Sequence, residues 1–383
     1  MAKPLYVYTG SDWVPVASEL ESTSQYLPIQ QAQAPFRNLI INGAMQVAQR
    51  GTSTASITTA GYYTADRWTI NISSQGTWTQ SVENDAPTGS GFRKSLKMLC
   101  TTADAAPAAG DYVLVRQIIE GQNLQSIRKG TADAQLLTIS FWVKSNVTGT
   151  YVCSLYDADN NRLTGQSYTV SASATWEKKT ITFPADTTGA FDNDNGGSLY
   201  LDYGLGAGTD RTSGTLNASW ATYSNANYLA GQTNLAAATN NYWQITGVQL
   251  EVGAVATPFE FKPYAQDLAE CQRYYWRNTP GTPFGTYCLA QVRSTTQVEP
   301  IVDFPVAMRV GPTSIEYSNL SIERAGIGTY SLTVLSINVG NYNGPYATKL
   351  AGTNNTSGAS AGQSVSIINA NNSAGYLAFN AEL

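Results

Sequence analysis

Short runs that alternate between apolar and polar residues fill most of the chain, and they predict β-strands. Between Phe36 and Gly253, runs of about four to eight residues rich in β-branched and aromatic residues are separated by clusters of Gly, Asn, Asp, Ser or Pro. Many short strands with turn signals between them favour a jelly-roll β-sandwich over an alternating strand–helix fold. Residues 279–383 repeat the pattern, which predicts a C-terminal β-sandwich knob.

The stretch from Gln244 to Arg277 connects these two all-β regions. Val248 and Leu250 alternate with polar residues, so this strand should complete the core of the first region. Pro263 then opens a short linking helix. We expect its apolar face either to form the joint between the domains or to contact other copies of the chain. That face consists of Leu268, Cys271, Tyr274 and Tyr275.

The N-terminus has the pattern of a small hairpin. Leu5–Tyr8 and Trp13–Val16 are short β-type runs around the turn sequence Thr9–Asp12. A lone hairpin is marginally stable in water, so it should pack on another chain or part. A polar linker follows it. The predicted domains are an attachment segment with linker at 1–36, a jelly roll at 37–262, the linking helix at 263–278 and the knob at 279–383.

Composition narrows the class of partner. Charged residues make up 13% of the chain, against about 25% in an ordinary soluble domain. The formal net charge is −5 and there is no run of Lys or Arg, which argues against nucleic acid as a partner. No apolar run approaches the roughly 18 residues of a membrane span, and no signal peptide is visible.

The chain contains no histidine, which argues against most enzyme and metal chemistry. Ser-His-Asp and Cys-His catalytic arrangements need histidine, and a zinc site would need either histidine or clustered cysteines. The four cysteines are widely spaced, which favours buried reduced thiols over a disulfide framework. Asp157–Asn161 and Asp192–Gly196 resemble turns, with a weak calcium site as the alternative. We therefore expect a protein that is not an enzyme and has no cofactor and no assigned metal.

Four aromatic residues lie in polar, Asn-rich sequence, where exposed rings could serve as platforms for sugars. The apolar face of a sugar ring matches a flat π surface. The alternative for each residue is a subunit interface or ordinary loop packing. These candidate glycan-binding residues are Trp220, Tyr223, Tyr342 and Tyr346.

Several motifs, in a fixed order, carry a resemblance to a known class of protein. They are Asn38–Met45, Ala65–Trp68, Ser140–Ser145, Gln249–Gly253, Ala256–Glu260 and Cys271–Tyr275. Together they resemble tail-fibre and related virion proteins of tailed bacteriophages. The opening KPLYVYTGSDWVPV looks like the attachment segment of some cyanophage structural proteins.

The resemblance implies a carbohydrate-binding-module-like jelly roll and a homotrimer located in the virion, on a tail fibre or the particle surface, after assembly in the host cytoplasm. It implies that residues 1–36 contact other virion proteins and that the distal domains bind host surface polysaccharide or lipopolysaccharide. Such modules often hold a structural calcium, but no motif here places its ligands. One alternative is a purely structural capsid-decoration or baseplate component without a receptor. A less favoured alternative is a glycan depolymerase.

Overall fold

The computed structural model describes residues 6–8, 13–15, 36–325, 327–338, 342–354 and 360–383, and this part of the chain is almost entirely β-structure. The predicted all-β class is confirmed. The strands are β1 Tyr6–Tyr8, β2 Trp13–Pro15, β3 Ser53–Ile57, β4 Gly61–Tyr62, β5 Thr69–Ser73, β6 Thr77–Glu83, β7 Ser95–Thr102, β8 Tyr112–Glu120, β9 Leu137–Ser145, β10 Gly149–Asp157, β11 Arg162–Val170, β12 Glu177–Phe183, β13 Gly197–Ala207, β14 Ala221–Thr222, β15 Tyr242–Val252, β16 Tyr275–Asn278, β17 Thr286–Ser294, β18 Gln297–Asp303, β19 Ser314–Ser318, β20 Leu320–Arg324, β21 Gly328–Ile337, β22 Ala347–Asn354, β23 Ser364–Asn369 and β24 Tyr376–Asn380. The helices are α1 Thr209–Thr212, α2 Tyr264–Gln272 and the 3₁₀ turns Gly121–Asn123, Gln125–Ile127, Asn225–Asn227 and Leu235–Ala237.

The N-terminal hairpin is present. Strands β1 and β2 pair antiparallel, with Tyr6 opposite Pro15 and Tyr8 opposite Trp13. Residues 16–35, which contain most of the predicted linker, lie outside the described part of the chain.

Strands β3 to β15 form two antiparallel sheets packed face to face, here called the sandwich. One sheet has seven strands in the order β14-β11-β10-β13-β8-β5-β4, and the other has six in the order β12-β9-β15-β7-β6-β3. Alternate residues point between the sheets, as Val113 and Val115 do in β8. Trp68, Trp78 and Trp243 are fully buried in this core. Full burial of one large apolar side chain contributes about 1.5–3 kcal/mol.

The central strand β15 is buried on both faces. Val248 and Leu250 lie in the core, as predicted. Gln249 and Glu251 alternate with them but are also buried, because the segment that follows β15 folds back over the outer face. The Glu251 carboxylate accepts hydrogen bonds from the backbone N–H of Thr257 at 2.9 Å and from its hydroxyl at 2.7 Å. The polar positions therefore satisfy one another and do not face solvent.

A clasp ties the first residues of the sandwich to its last strand. The Asn38 side chain accepts from the Leu250 N–H at 3.1 Å and donates to the Val248 carbonyl at 3.2 Å. The Glu260 carboxylate accepts from the Asn38 N–H at 2.9 Å. Gly43 is packed so tightly that a Cβ there would lie 2.1 Å from the Val248 carbonyl oxygen. Three of the motifs that carry the phage-fibre resemblance, Asn38–Met45, Gln249–Gly253 and Ala256–Glu260, thus serve to close the fold.

Helix α2 leads from the sandwich into the C-terminal region. Pro263 stands at its N-cap position, as the sequence predicts. The helix ends at Gln272, so Tyr274 and Tyr275 lie beyond it and reach the joint from a turn and from β16.

The C-terminal region is also all-β, but it differs from the expected sandwich. Strands β16, β24 and β19 form a three-stranded sheet, and β17-β18-β22-β21-β20-β23 close into a barrel. The barrel closes because β23 pairs with β17 on one side and with β20 on the other. Closure removes the free edges that an open sandwich would leave.

Buried charges connect the barrel region to the sandwich. Glu382 forms ion pairs with Arg67 and, at 3.3 Å, with Arg50. Arg67 is 1% exposed, and its second terminal nitrogen donates to the Ile118 carbonyl at 2.6 Å. These contacts set the position of the C-terminal residues against the sandwich.

A second buried cation organises the loops at one end of the sandwich. The Lys129 ammonium lies 2.5 Å from the Asp157 carboxylate and 3.1 Å from that of Asp186. It also donates to the carbonyls of Thr188 at 2.9 Å and Gly189 at 2.8 Å. One side chain therefore joins its own loop to the end of β10 and to the loop that follows β12.

Candidate functional site

A groove of about 270 Å³ lies on the outer face of the seven-stranded sheet. In β8, Val113 and Val115 point into the sandwich core, whereas Leu114 and Arg116 point outward. Residues 208–232 cross the same face and form one wall. The lining, here called the tyrosine groove, consists of Asn71, Tyr112, Leu114, Arg116, Tyr156, Asn161, Tyr200, Arg211, Tyr223 and Tyr228.

Four tyrosine rings follow one another along the groove, each meeting the next edge to face. The ring centroids of Tyr156 and Tyr200 are 5.6 Å apart, those of Tyr156 and Tyr223 are 5.2 Å apart, and those of Tyr223 and Tyr228 are 5.6 Å apart. Such pairs contribute about 0.5–1.5 kcal/mol each beyond their burial. The rings therefore hold one another in place before any ligand arrives.

Hydroxyl and amide groups alternate with the rings. The Tyr156 hydroxyl donates to the side-chain oxygen of Asn161 at 3.2 Å, and the Tyr112 hydroxyl donates to that of Asn71 at 3.1 Å. The groove thus offers both apolar faces and hydrogen-bonding groups.

A buried ion pair supports the floor. Asp202 is fully buried and accepts from Arg116 Nε at 2.6 Å and Nη2 at 3.0 Å. The Tyr228 hydroxyl contacts the same carboxylate. Burial, reinforced by Asp202, raises the pKa of Tyr228 well above 10.0, so this hydroxyl stays a hydrogen-bond donor. The Arg116 guanidinium lies 4.6 Å from the centroid of the Tyr200 ring. The floor is therefore rigid and close to neutral.

Arg211 forms part of the wall. Its guanidinium stacks on the Tyr112 ring at 3.8 Å, and its Nη1 donates to Asn225 Oδ1 at 2.9 Å. Among the described residues, no carboxylate lies within ion-pair distance of it.

Local sequence explains why the wall lies across the sheet. A Cβ at Gly208 would lie 1.9 Å from the Ala108 carbonyl oxygen, so only glycine lets the chain turn this closely. Leu229 then packs with Leu114 in a small apolar cluster on the outer face. Its backbone N–H donates to the Arg211 carbonyl at 2.9 Å, which ties the two ends of the wall together.

The structure does not bring the four predicted glycan-binding residues together. Tyr223 lies in the tyrosine groove. Trp220 is half-buried against the sandwich core, and its indole N–H donates to the Pro184 carbonyl at 2.9 Å. Tyr342 and Tyr346 belong to the barrel region, where they are 60% and 73% exposed.

Sequence reasoning missed Tyr112, Tyr156 and Tyr200. These residues lie within or at the start of strands, and the apolar alternation hid them. Tyr200 stands between two core leucines, Leu199 and Leu201. Aromatic residues on the opposite phase to the core were the signal that could have identified them.

The predicted joint residues face other parts of the same chain. Cys271, Tyr274 and Tyr275 are buried, and Leu268 is half-buried. The Arg67 guanidinium lies 3.4 Å from the Tyr274 ring centroid. The Arg50 guanidinium lies 3.5 Å from that of Tyr275. A three-fold contact through Leu268 stays a prediction.

A second cavity, of about 380 Å³, lies beside helix α2, but its charges are already paired. Lys262 contacts Glu270 at 2.7 Å, and Arg273 forms two hydrogen bonds of 2.8 Å with Glu120.

Within the described ranges there is no cluster of three or more His, Cys, Asp or Glu side chains suited to a metal. None of the described helices is long and apolar enough to cross a membrane. The tyrosine groove is therefore the better candidate site.

Comparison with known proteins finds fold likenesses of low score. No family model and no curated protein matches the chain. The enzymatically active domain of bacteriophage CBA120 tailspike protein 4 is similar over 57% of this chain at 14% identity and a TM-score of 0.31, and the match spans 22% of that domain.

Two sugar-bound modules give similar values. TmCBM61 with β-1,4-galactotriose matches 56% of this chain and 99% of its own, at 8% identity and a TM-score of 0.29. The family 11 carbohydrate-binding module from Clostridium thermocellum, with a mixed-linked tetrasaccharide, matches 54% and 98%, at 10% identity and 0.28. At such scores these likenesses carry no argument about what this chain binds, which has to come from the geometry of the groove.

Proposed function

We propose that this chain binds a polysaccharide in the tyrosine groove. The observation that carries the proposal is the row of Tyr156, Tyr200, Tyr223 and Tyr228 on the outer face of the sheet, held edge to face beside amide and guanidinium groups. A sugar ring has apolar faces that stack on aromatic rings, and its hydroxyls exchange hydrogen bonds with side chains such as Asn71.

The proposed role is binding without catalysis. Glycoside hydrolysis usually takes two carboxyl groups that face each other across the scissile bond, about 5–9.5 Å apart. No carboxylate belongs to the groove lining, and the nearby Asp202 is buried and paired with Arg116. This arrangement supports a binding protein and not a depolymerase.

The finer proposal is a fibre protein of a tailed-phage virion. Its support is the motif resemblance and the N-terminal hairpin, which would attach the chain to the particle. Three copies on one fibre would raise the effective concentration of binding sites for a repeating surface polysaccharide, so weak binding at each groove would suffice for attachment.

The test is a binding titration of the full chain with purified surface polysaccharides, comparing the groove variants Tyr156→Ala and Tyr200→Ala with Tyr346→Ala on the barrel. We expect each groove variant to weaken binding about tenfold, or ~1.4 kcal/mol, and Tyr346→Ala to leave it unchanged. Binding that survives both groove variants but is lost with Tyr346→Ala would move the site to the barrel. Absence of binding to every polysaccharide would contradict the proposal.

A further inference from the structure

Arg211 differs from Arg116, the other charged residue of the tyrosine groove, in its ion pairing. The lining contains two charged residues, Arg116 and Arg211. Arg116 is neutralised by the buried carboxylate of Asp202, whereas Arg211 has no carboxylate partner among the described residues. The groove thus carries one uncompensated positive charge on a chain whose formal net charge is −5.

The Arg211 guanidinium is held in place with donors to spare. It is stacked on Tyr112 at 3.8 Å and lies 5.5 Å from the centroid of Tyr228. Nη1 donates to Asn225 at 2.9 Å and to the Tyr223 hydroxyl at 3.4 Å. A guanidinium has five N–H donors. Within the described part of the chain, no acceptor is assigned to Nε or Nη2.

Such a group suits an anionic substituent better than a neutral hydroxyl. A planar guanidinium pairs with a carboxylate or sulfate through two parallel, charge-assisted hydrogen bonds, which are roughly twice as strong as neutral ones. Stacking on Tyr112 fixes the plane of the fork, so little side-chain entropy is lost when the pair forms.

We infer that the tyrosine groove selects an acidic glycan, whose uronate carboxylate or sulfate ester pairs with Arg211 while neighbouring sugar rings stack on the tyrosines. This inference rests on the proposed function of the same groove and specifies its ligand class. A carboxylate and a sulfate would pair with the guanidinium in the same way, and the choice of polymer in the experiment distinguishes between them.

The experiment measures binding of the full chain to two matched pairs of polymers and to single-stranded oligothymidylate. Polygalacturonate is compared with its methyl ester, which has the same backbone without the charge, and dextran sulfate is compared with dextran. The variants are Arg211→Gln, Arg211→Lys and a control, Arg293→Gln, which removes a positive charge from an exposed position on the barrel. Circular dichroism and thermal unfolding of each variant confirm that it is folded.

We expect the wild-type chain to bind one charged polymer at least about tenfold more tightly than its neutral partner, with a preference that falls as salt rises. Arg211→Gln should abolish this preference, Arg211→Lys should keep part of it, and Arg293→Gln should keep all of it. The polymer that shows the preference identifies carboxylate or sulfate.

Three results would overturn the inference. Equal binding to charged and neutral polymers, lost in Tyr200→Ala, would refute selection for acidic sugars while leaving the glycan-binding function standing. Tighter Arg211-dependent binding to single-stranded oligothymidylate than to either charged polymer would assign the groove to nucleic acid. Absence of binding to all four polymers and to oligothymidylate would refute both the inference and the proposed function.

Discussion

Replacing Lys129 by methionine should strongly destabilise the sandwich. Methionine keeps most of the side-chain length but removes the ammonium that faces Asp157 and Asp186. The carboxylates remain buried, since their side chains are 0% and 4% exposed. Asp186 keeps Arg162, whose guanidinium donates to it at 2.7 and 2.9 Å. Asp157 keeps only the N–H groups of Asn160. The variant therefore leaves one buried carboxylate without a cation.

Removing one partner of a buried ion pair costs about 3–5 kcal/mol. For a domain of roughly 150–250 residues, each kcal/mol lowers the melting temperature by about 2–4 °C, so the expected fall is ~6–20 °C. The penalty should also depend on pH. Burial raises the pKa of Asp186, but hydrogen bonds from Arg162 and Lys129 outweigh it and hold that pKa below the usual 3.8. A lowered pKa stabilises the fold above 3.8, and this stabilisation is lost as the pH falls through the folded value.

Calorimetric unfolding of the Lys129→Met variant at neutral pH and near pH 4 measures both effects, and the difference from wild type should be largest at neutral pH. Lys179→Met is the control, because its pair with Glu177 is partly exposed, at 19% and 17%, and should contribute less than ~1 kcal/mol. A Lys129→Met variant within ~1 kcal/mol of wild type at neutral pH, or no more destabilised than Lys179→Met, would refute the reasoning.

Three further predictions concern the joint and the last strand of the sandwich. Glu382→Ala should leave the buried arginines at the joint unpaired, cost about 3–5 kcal/mol and split the calorimetric transition in two; a single unchanged transition would count against the joint. Burial raises the pKa of Asp66 from 3.8 to about 6, so its contribution to stability is present below 3.8 and is lost as the pH rises through 6. Asp66→Asn should remove up to ~3 kcal/mol of the fall in unfolding free energy between about pH 4 and pH 7, and an unaltered pH profile would contradict this. Gly247→Ala should cost about 1–3 kcal/mol, because φ is +63° and the new Cβ would lie 2.5 Å from the Phe92 ring. Gly231→Ala is the control, because φ is +86° there and no atom lies within 4 Å of the new Cβ, so it measures the cost of backbone strain alone. Equal costs for the two variants would exclude a contribution from the clash with Phe92.

Much of the fold follows from local pattern, because strand and turn signals are short-range. The alternation around Val248, the paired runs at the N-terminus and the helix after Pro263 all predict elements that the structure contains. Barrel closure was not predictable in this way. It depends on β23 pairing with β17, more than 70 residues earlier in the chain, and local periodicity does not encode such a pairing.

Prediction of the tyrosine groove from local sequence meets the same limit. Tyr223 could be found because its neighbours are polar and rich in Asn. Tyr112, Tyr156 and Tyr200 become a site only when the strand register of β8, β13 and β10 places them on one face of the sheet. Tyr156 lies directly opposite Tyr200, and Tyr112 lies further along the same face, opposite Ala207. The motifs that resemble phage fibres, in contrast, include residues such as Asn38 whose side chains close the sandwich. They indicate how the chain folds more directly than what it binds.

The most direct test of glycan binding in the groove is a crystal structure of the full chain with an oligosaccharide of a polymer that it binds. The account predicts sugar rings stacked on Tyr156, Tyr200 or Tyr223, with the Arg211 guanidinium within hydrogen-bond distance of an acidic substituent. An oligosaccharide bound on the barrel beside Tyr342, with the tyrosine groove empty, would contradict it.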